Sequence, residues 1–144
     1  MTTPERALPH RAPMLLVDVI DELGADRVVT RHAVLATAPC FTPAAAPEQL
    51  VYPPALVLES FVQSGAILAG HTAAGQLPVF VAARDVTFHQ GVVAGDMLVH
   101  EVVRERALGD AILLSGRTTC DGSLVASYGS VTATLRSGDV LAPA

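Results

Sequence analysis

The sequence predicts an α+β fold in two layers: an antiparallel sheet of about six strands wrapped around one long apolar helix, forming a single domain over residues 1–144. Three observations carry that prediction. Residues 55–75 form a long apolar stretch bracketed by Pro54 and Gly75, residue types that open and close helices. Everything downstream of it is β-rich, in four runs separated by glycine-containing breaks. The last two runs meet across Asp121-Gly122, a dipeptide suited to the positive φ angles of a tight hairpin.

Taken in chain order, residues 15–23 (LLVDVIDEL) are a short apolar run compatible with strand or helix. Gly24-Ala25-Asp26 reads as a turn into a β-rich stretch over 27–35. Residues 36–54 carry Pro39, Pro43, Pro47, Pro53 and Pro54, which predicts an irregular loop; loops of this length in compact domains are uncommon and usually either functional or disordered. Pro54 fits a first helical position, where its missing N–H removes no bond. The helix that follows, about 55–75, is apolar nearly all round, so other elements must enclose it on most sides. Strands are expected over 79–88, 96–106, 111–120 and 123–135, with a turn at 107–110.

Composition narrows the function. The chain is 51% hydrophobic and 16% charged, which excludes global disorder. Nine basic residues, all arginine, face 14 acidic ones for a net charge of −5, with no basic cluster, so a nucleic-acid partner is not expected. Cys40 and Cys120 stand far apart and form no C-x-x-C pair, as in reduced cytoplasmic proteins. The start MTTPERALPHRAP lacks the apolar core of a secretory signal. The 55–75 stretch contains Glu59, Gln63 and His71, which argues for a soluble protein rather than a membrane span. His10, His32, His71, His89 and His100 show no i, i+4 pairing, and no metal site is expected. The segment Gly65 to Thr72 mimics a phosphate loop, but His71 replaces the required lysine and the segment lies within the helix; its small residues suit close helix packing.

Three stretches follow a recognisable pattern. Leu8-Pro9-His10-Arg11-Ala12-Pro13-Met14-Leu15-Leu16-Val17-Asp18 matches L-P-H-R-x-P-x-L-L-x-D. Tyr52-Pro53-Pro54-Ala55-Leu56-Val57-Leu58-Glu59, running on to Gln63, follows P-G-x-L-x-x-E-x-x-x-Q. Phe88-His89-Gln90-Gly91-Val92-Val93-Ala94-Gly95-Asp96 follows F-x-x-P-V-x-P-G-D. In order and spacing, over residues 7–135, the chain resembles the hotdog-fold 3-hydroxyacyl-acyl-carrier-protein dehydratases of FabZ type. The resemblance implies a hotdog domain that pairs into a double-hotdog dimer through the helix and the strand near residues 79–88. It also implies no cofactor, and a substrate carried on the phosphopantetheine of an acyl carrier protein.

In that family a His and a Glu from opposite chains of the dimer eliminate water. The His removes the α-proton and the Glu protonates the leaving β-hydroxyl, while a Gly N–H at the helix start polarises the thioester carbonyl. Carried onto this chain, Glu59 is the acid. The His position falls on Ala45, and the Gly position on Pro54, which has no N–H to donate. Gln63, Tyr52, Phe88 and His89 fall on supporting or tunnel positions, and His10 on a structural one. His89-Gln90 replaces a pair that is often basic, weakening docking of an acidic carrier protein.

These departures imply a dehydratase subunit that is impaired alone and works as a heterodimer with a FabZ-like paralogue in fatty-acid, polyketide or polyene synthesis. Ala45 and Pro54 then share one silent half-site, and Glu59 completes the other with the partner's His and Gly. An ionised Glu59 among Leu56, Val57, Leu58, Phe61 and Val62 would be costly unless paired or protonated. Alternatives are an independently active dehydratase with atypical residues, a hotdog acyl thioesterase, and an acyl-chain-binding scaffold.

Overall fold

The computed structural model describes residues 1–42 and 45–138. Its elements are α1 (Pro4–Ala7), β1 (Val19–Leu23), β2 (Arg27–Ala33), a 3₁₀ turn (Pro47–Gln49), α2 (Pro54–Thr72), β3 (Gln76–Phe88), β4 (Met97–Leu108), β5 (Ala111–Cys120) and β6 (Ser123–Ser137). The strands form one six-stranded sheet in the order β1-β2-β4-β5-β6-β3, with every neighbouring pair antiparallel. The α+β hotdog architecture expected from the sequence is the one observed.

The central strands β4 and β5 alternate as in a half-covered sheet. In β4, Leu98, His100 and Val102 are wholly buried, while the residues between them are partly exposed. In β5, Ile112, Leu114, Thr118 and Cys120 point the same way. Register shifts interrupt the ladders at Ile20/Glu22, Phe80/Ala82, Arg104/Arg106 and Leu114/Gly116. Such bulges increase twist and bend the sheet around what it covers. Asp121 (φ 49) and Gly122 (φ 79) both adopt the left-handed conformation that closes the β5–β6 hairpin.

What the sheet covers is α2. None of residues 56–70 is fully exposed, consistent with an apolar sequence on all faces of the helix. Phe61 is completely buried and stacks on Tyr128 with ring centroids 3.7 Å apart, which adds about 1 kcal/mol to the benefit of burying both rings. Gly65 sits so close to the sheet that a Cβ there would stand 2.7 Å from Leu114 Cδ1. That contact explains one of the small residues in the false phosphate loop; Gly70 has open space around it.

Several boundaries differ from expectation; β3, β4 and β6 run two or three residues further than expected and β2 stops two residues short. Only Val19–Leu23 of the 15–23 run is strand, because the preceding residues lie against α2 instead. The one-turn α1 was not anticipated; its local signals are Pro4 at the start, Glu5 in the first turn and Arg6 in the last. Helix α2 begins at Pro54, the first helical position expected for it, but ends at Thr72 rather than near 75, and the chain reverses through Gly75 at φ 77 before β3 starts at Gln76. The proline-rich loop contains a short 3₁₀ turn and is tied down by Tyr52 N–H to Val92 O (2.7 Å) and by a bridge between Val51 and Val93. Pro43 and Ala44 lie outside the described residues. Among the described residues no helix is long and apolar enough to cross a membrane.

A buried polar chain joins the two layers. Ser60 Oγ donates to Leu16 O (2.6 Å) and therefore accepts from His100 Nε2–H (2.7 Å). His100 Nδ1 is then the acceptor for Thr118 Oγ1–H (2.8 Å), and Thr118 in turn accepts from the Tyr128 hydroxyl (2.8 Å). Each link fixes the direction of the next, and the direction requires a neutral imidazole. Burial drives the His100 pKa down to about 3.

Candidate functional site

The site is built where the N-terminal segment crosses α2. Gln63, on the second turn after the helix start and almost wholly buried, staples the two together. Its carbonyl oxygen accepts from Leu16 N–H (2.8 Å), and its amide nitrogen donates to Met14 O (2.8 Å) and to Glu59 Oε1 (3.0 Å) one turn earlier. An amide is suited to this position because it offers a donor and an acceptor at once. Arg11 braces the segment by donating to Leu8 O (2.9 Å) and His10 O (2.7 Å).

This crossing brings His10 to Glu59. His10 Nε2 lies 3.7 Å from Glu59 Oε1, with about a third of each side chain exposed. Glu59 is therefore not sealed in the core: it sits at a wet edge with Gln63 as its hydrogen-bond partner. His10 Nδ1 is shielded from solvent and has no hydrogen-bond partner. A neutral Nε2–H tautomer leaves it as a bare acceptor and points a donor at Glu59. Gln63 and His10 thus converge on one carboxylate oxygen. Both residues line a groove of about 260 Å³ whose walls include Leu8, Val62, Ala66, Pro78 and Phe80, a narrow apolar slot with one acid–imidazole end.

The remaining sequence-predicted positions are scattered. Ala45 lies in the proline-rich loop and presents only a methyl group; its N–H bonds Thr42 O (3.3 Å). Pro54 is the first residue of α2 and brings no N–H to the helix start. Phe88 ends β3 and is 42% exposed, and His89 Nε2 bonds Ser127 Oγ (3.0 Å). Eight residues of strand separate Phe88 from Phe80, about 26 Å, so Phe88 and His89 do not meet Glu59 within one protomer.

Tyr52 belongs to a different cluster, which the sequence reading missed. Its hydroxyl lies 3.3 Å from His32 Nε2, and His32 Nδ1 lies 3.0 Å from Asp18 Oδ2, which also accepts from Ala33 N–H (2.7 Å). The His32 hydrogen bond holds the Asp18 carboxyl below its usual range, and burial lifts the Tyr52 phenol to about 12. The pair depends on the β1–β2 register: across the 24–26 turn, Val19 opposite Arg31 sets Asp18 beside His32.

Comparison with known proteins places this geometry. No protein-family model matches the chain. Among curated proteins it is 33% identical over 124 residues to a 3-hydroxyacyl-[acyl-carrier-protein] dehydratase FabZ of Paramagnetospirillum magneticum, covering 83% of this chain and 76% of that one. It is 35% identical over 125 residues to FabZ of Actinobacillus pleuropneumoniae (83% and 80% covered) and 33% identical to FabZ of Streptococcus pyogenes (85% and 89%). Among solved structures it is similar to the dehydratase heterocomplex ApeI:P from Xenorhabdus doucetiae, with a TM-score of 0.80 and 17% identity over 98% of this chain and 95% of that one. A hypothetical thioesterase with coenzyme A from Streptococcus pneumoniae shares the fold at a TM-score of 0.65 and 11% identity, with 83% and 85% covered. With a third of its residues identical across most of both lengths, and with Glu59 and Gln63 together on the central helix, the chain belongs to the FabZ family of 3-hydroxyacyl-[acyl-carrier-protein] dehydratases.

Proposed function

We propose that this chain is one subunit of a 3-hydroxyacyl-acyl-carrier-protein dehydratase, contributing Glu59 as the acid of a site whose base and oxyanion donor come from a dehydratase paralogue. The observation that carries the reading is an asymmetry: the acid is present, braced by Gln63 at the end of an apolar groove, whereas position 45 offers no imidazole and position 54 no N–H. In the paired site the partner's imidazole takes the α-proton of the carrier-bound acyl chain. Glu59 gives its proton to the 3-hydroxyl, which leaves as water, and the partner's N–H groups hold the thioester oxygen. The proton on the imidazole returns to Glu59 before the next turnover.

Two features support pairing. β3 is an edge strand whose Val79 and Val81 are exposed, an unprotected ladder of the kind another strand completes. The similar ApeI:P structure is itself a dehydratase heterocomplex. The test is to co-purify the chain with such a paralogue and measure dehydration of a 3-hydroxyacyl thioester with and without Glu59→Gln. A fall of 10²-fold or more supports the shared site; undiminished turnover removes it.

A second reading, activity of this chain alone, has one observation in its favour: His10 stands 3.7 Å from Glu59 within the same protomer. Turnover by the purified chain, lost in both His10→Leu and Glu59→Gln, would select it.

A further inference from the structure

On the other side of the N-terminal segment lies a cavity of about 570 Å³, more than twice the volume of the Glu59 groove, and the two share no lining residue among those described. Its size falls within the roughly 300–1,000 Å³ of small-molecule sites. Met14, Leu16, Leu35 and Leu56 give it apolar walls; besides Thr37 and Cys40, its polar lining is one hydrogen-bonded corner of Asp18, His32 and Tyr52. We infer that this cavity is a second ligand site, for an apolar chain that ends in an uncharged hydrogen-bond donor, a hydroxyl or a primary amide.

The corner dictates that chemistry. Both hydrogen bonds to Asp18, from Ala33 N–H and His32 Nδ1, fall on Oδ2; Oδ1 makes none among the described residues, and half of the side chain is exposed. His32 is nine-tenths buried and fixed between Asp18 and Tyr52. The imidazole is thereby committed to holding the carboxylate in place, and the free oxygen is what the corner offers a ligand. A free carboxylate oxygen accepts a hydrogen bond from an O–H or N–H group and repels an anionic head, more strongly beside apolar walls than in water. A fatty alcohol or amide satisfies both walls and corner; a fatty acid of the same length does not. This inference is independent of the dehydratase reading, since no residue of the Glu59 groove takes part.

The test uses the whole chain and three probes of equal length: 1-octanol, octanamide and octanoate. Binding is followed by amide and imidazole NMR shifts, and by alkylation of Cys40, which is exposed on the cavity rim whereas Cys120 is buried. The alcohol and the amide should shift His32 and Ala33 and slow Cys40 alkylation, with octanoate at least tenfold weaker. Ala12→Phe, at an exposed position on the wall, should abolish binding without touching the core. Asp18→Asn should bring octanoate to parity with the alcohol. If no probe shifts these residues, if the shifts centre on His10 and Glu59, or if octanoate binds as well as the others to the unaltered chain, the inference falls. Should Asp18→Asn not fold, the head-group preference of the unaltered chain and the loss in Ala12→Phe decide the matter.

Discussion

Acidification should weaken this fold earlier than its carboxylates can explain, and His100 is the reason. The ring is wholly buried, receives a hydrogen bond from Thr118 at Nδ1 and donates one from Nε2 to Ser60. Protonating it means reversing the Thr118–Tyr128 links as well as placing a charge between helix and sheet. Its pKa is about 3 in the fold against an ordinary 6.5. Because the folded value is depressed, the unfolded chain takes up the proton first, and stability is lost as pH falls below about 6.5 until about 3. Linkage puts the loss from this one residue at about 2 kcal/mol between pH 7 and pH 5, and about 4 kcal/mol by pH 3. The Asp18 and Asp21 carboxyls are also depressed, by His32 and Arg31 respectively, but their contributions are lost only below the usual carboxylate range, outside the pH 5–7 window; comparison with a His100 variant separates its share from the rest. Urea unfolding at pH 7 and pH 5 measures the effect in the native chain and in His100→Gln, which keeps one donor and one acceptor. The variant should start about 1–3 kcal/mol lower at pH 7 and then lose about 2 kcal/mol less on acidification. Equal losses in the two proteins would refute the assignment of a neutral buried imidazole.

Three further outcomes follow from the site and the core. Restoring the family's groups with Ala45→His and Pro54→Gly should let the chain alone dehydrate a 3-hydroxyacyl thioester, at least 10²-fold above the unaltered chain; no gain would show that these two positions do not face a substrate. In complex with a paralogue, His10→Leu should lower kcat about tenfold with KM unchanged, and His10→Gln, which keeps an N–H, should recover part of the loss. Gly116→Ala should cost about 3 kcal/mol or more in urea unfolding, since its Cβ would fall 2.0 Å from Glu101 O and 3.0 Å from the Phe61 ring.

The fold was legible because its signals are local. Pro54, Gly75 and Asp121-Gly122 each act on their own few bonds, and the all-round apolarity of 55–75 calls for enclosure by other elements on most sides. The site was legible only in part. Glu59 and Gln63 are one helical turn apart, so their pairing follows from spacing. The contact of His10 with Glu59 depends on how the N-terminal segment crosses α2, which Gln63 decides through backbone groups of Met14 and Leu16 that carry no sequence signature. The Asp18–His32 pair required the β1–β2 register, and the run at 15–23 did not reveal where strand pairing starts. Burial of Glu59 was misjudged for the same reason: its apolar neighbours in sequence lie round the helix, while the carboxylate itself emerges at the seam beneath His10.

The open flank of β3 bears on how this polypeptide chooses company. Main-chain N–H and C=O groups are identical in every protein, so a vacant ladder recognises any extended strand and distinguishes none. Selection between a twin and a cousin must therefore come from side chains that project beside the seam, Val79 and Val81 among them, and from whatever they meet. Exchanging those few residues should redirect assembly while leaving the chemistry of each protomer as it was.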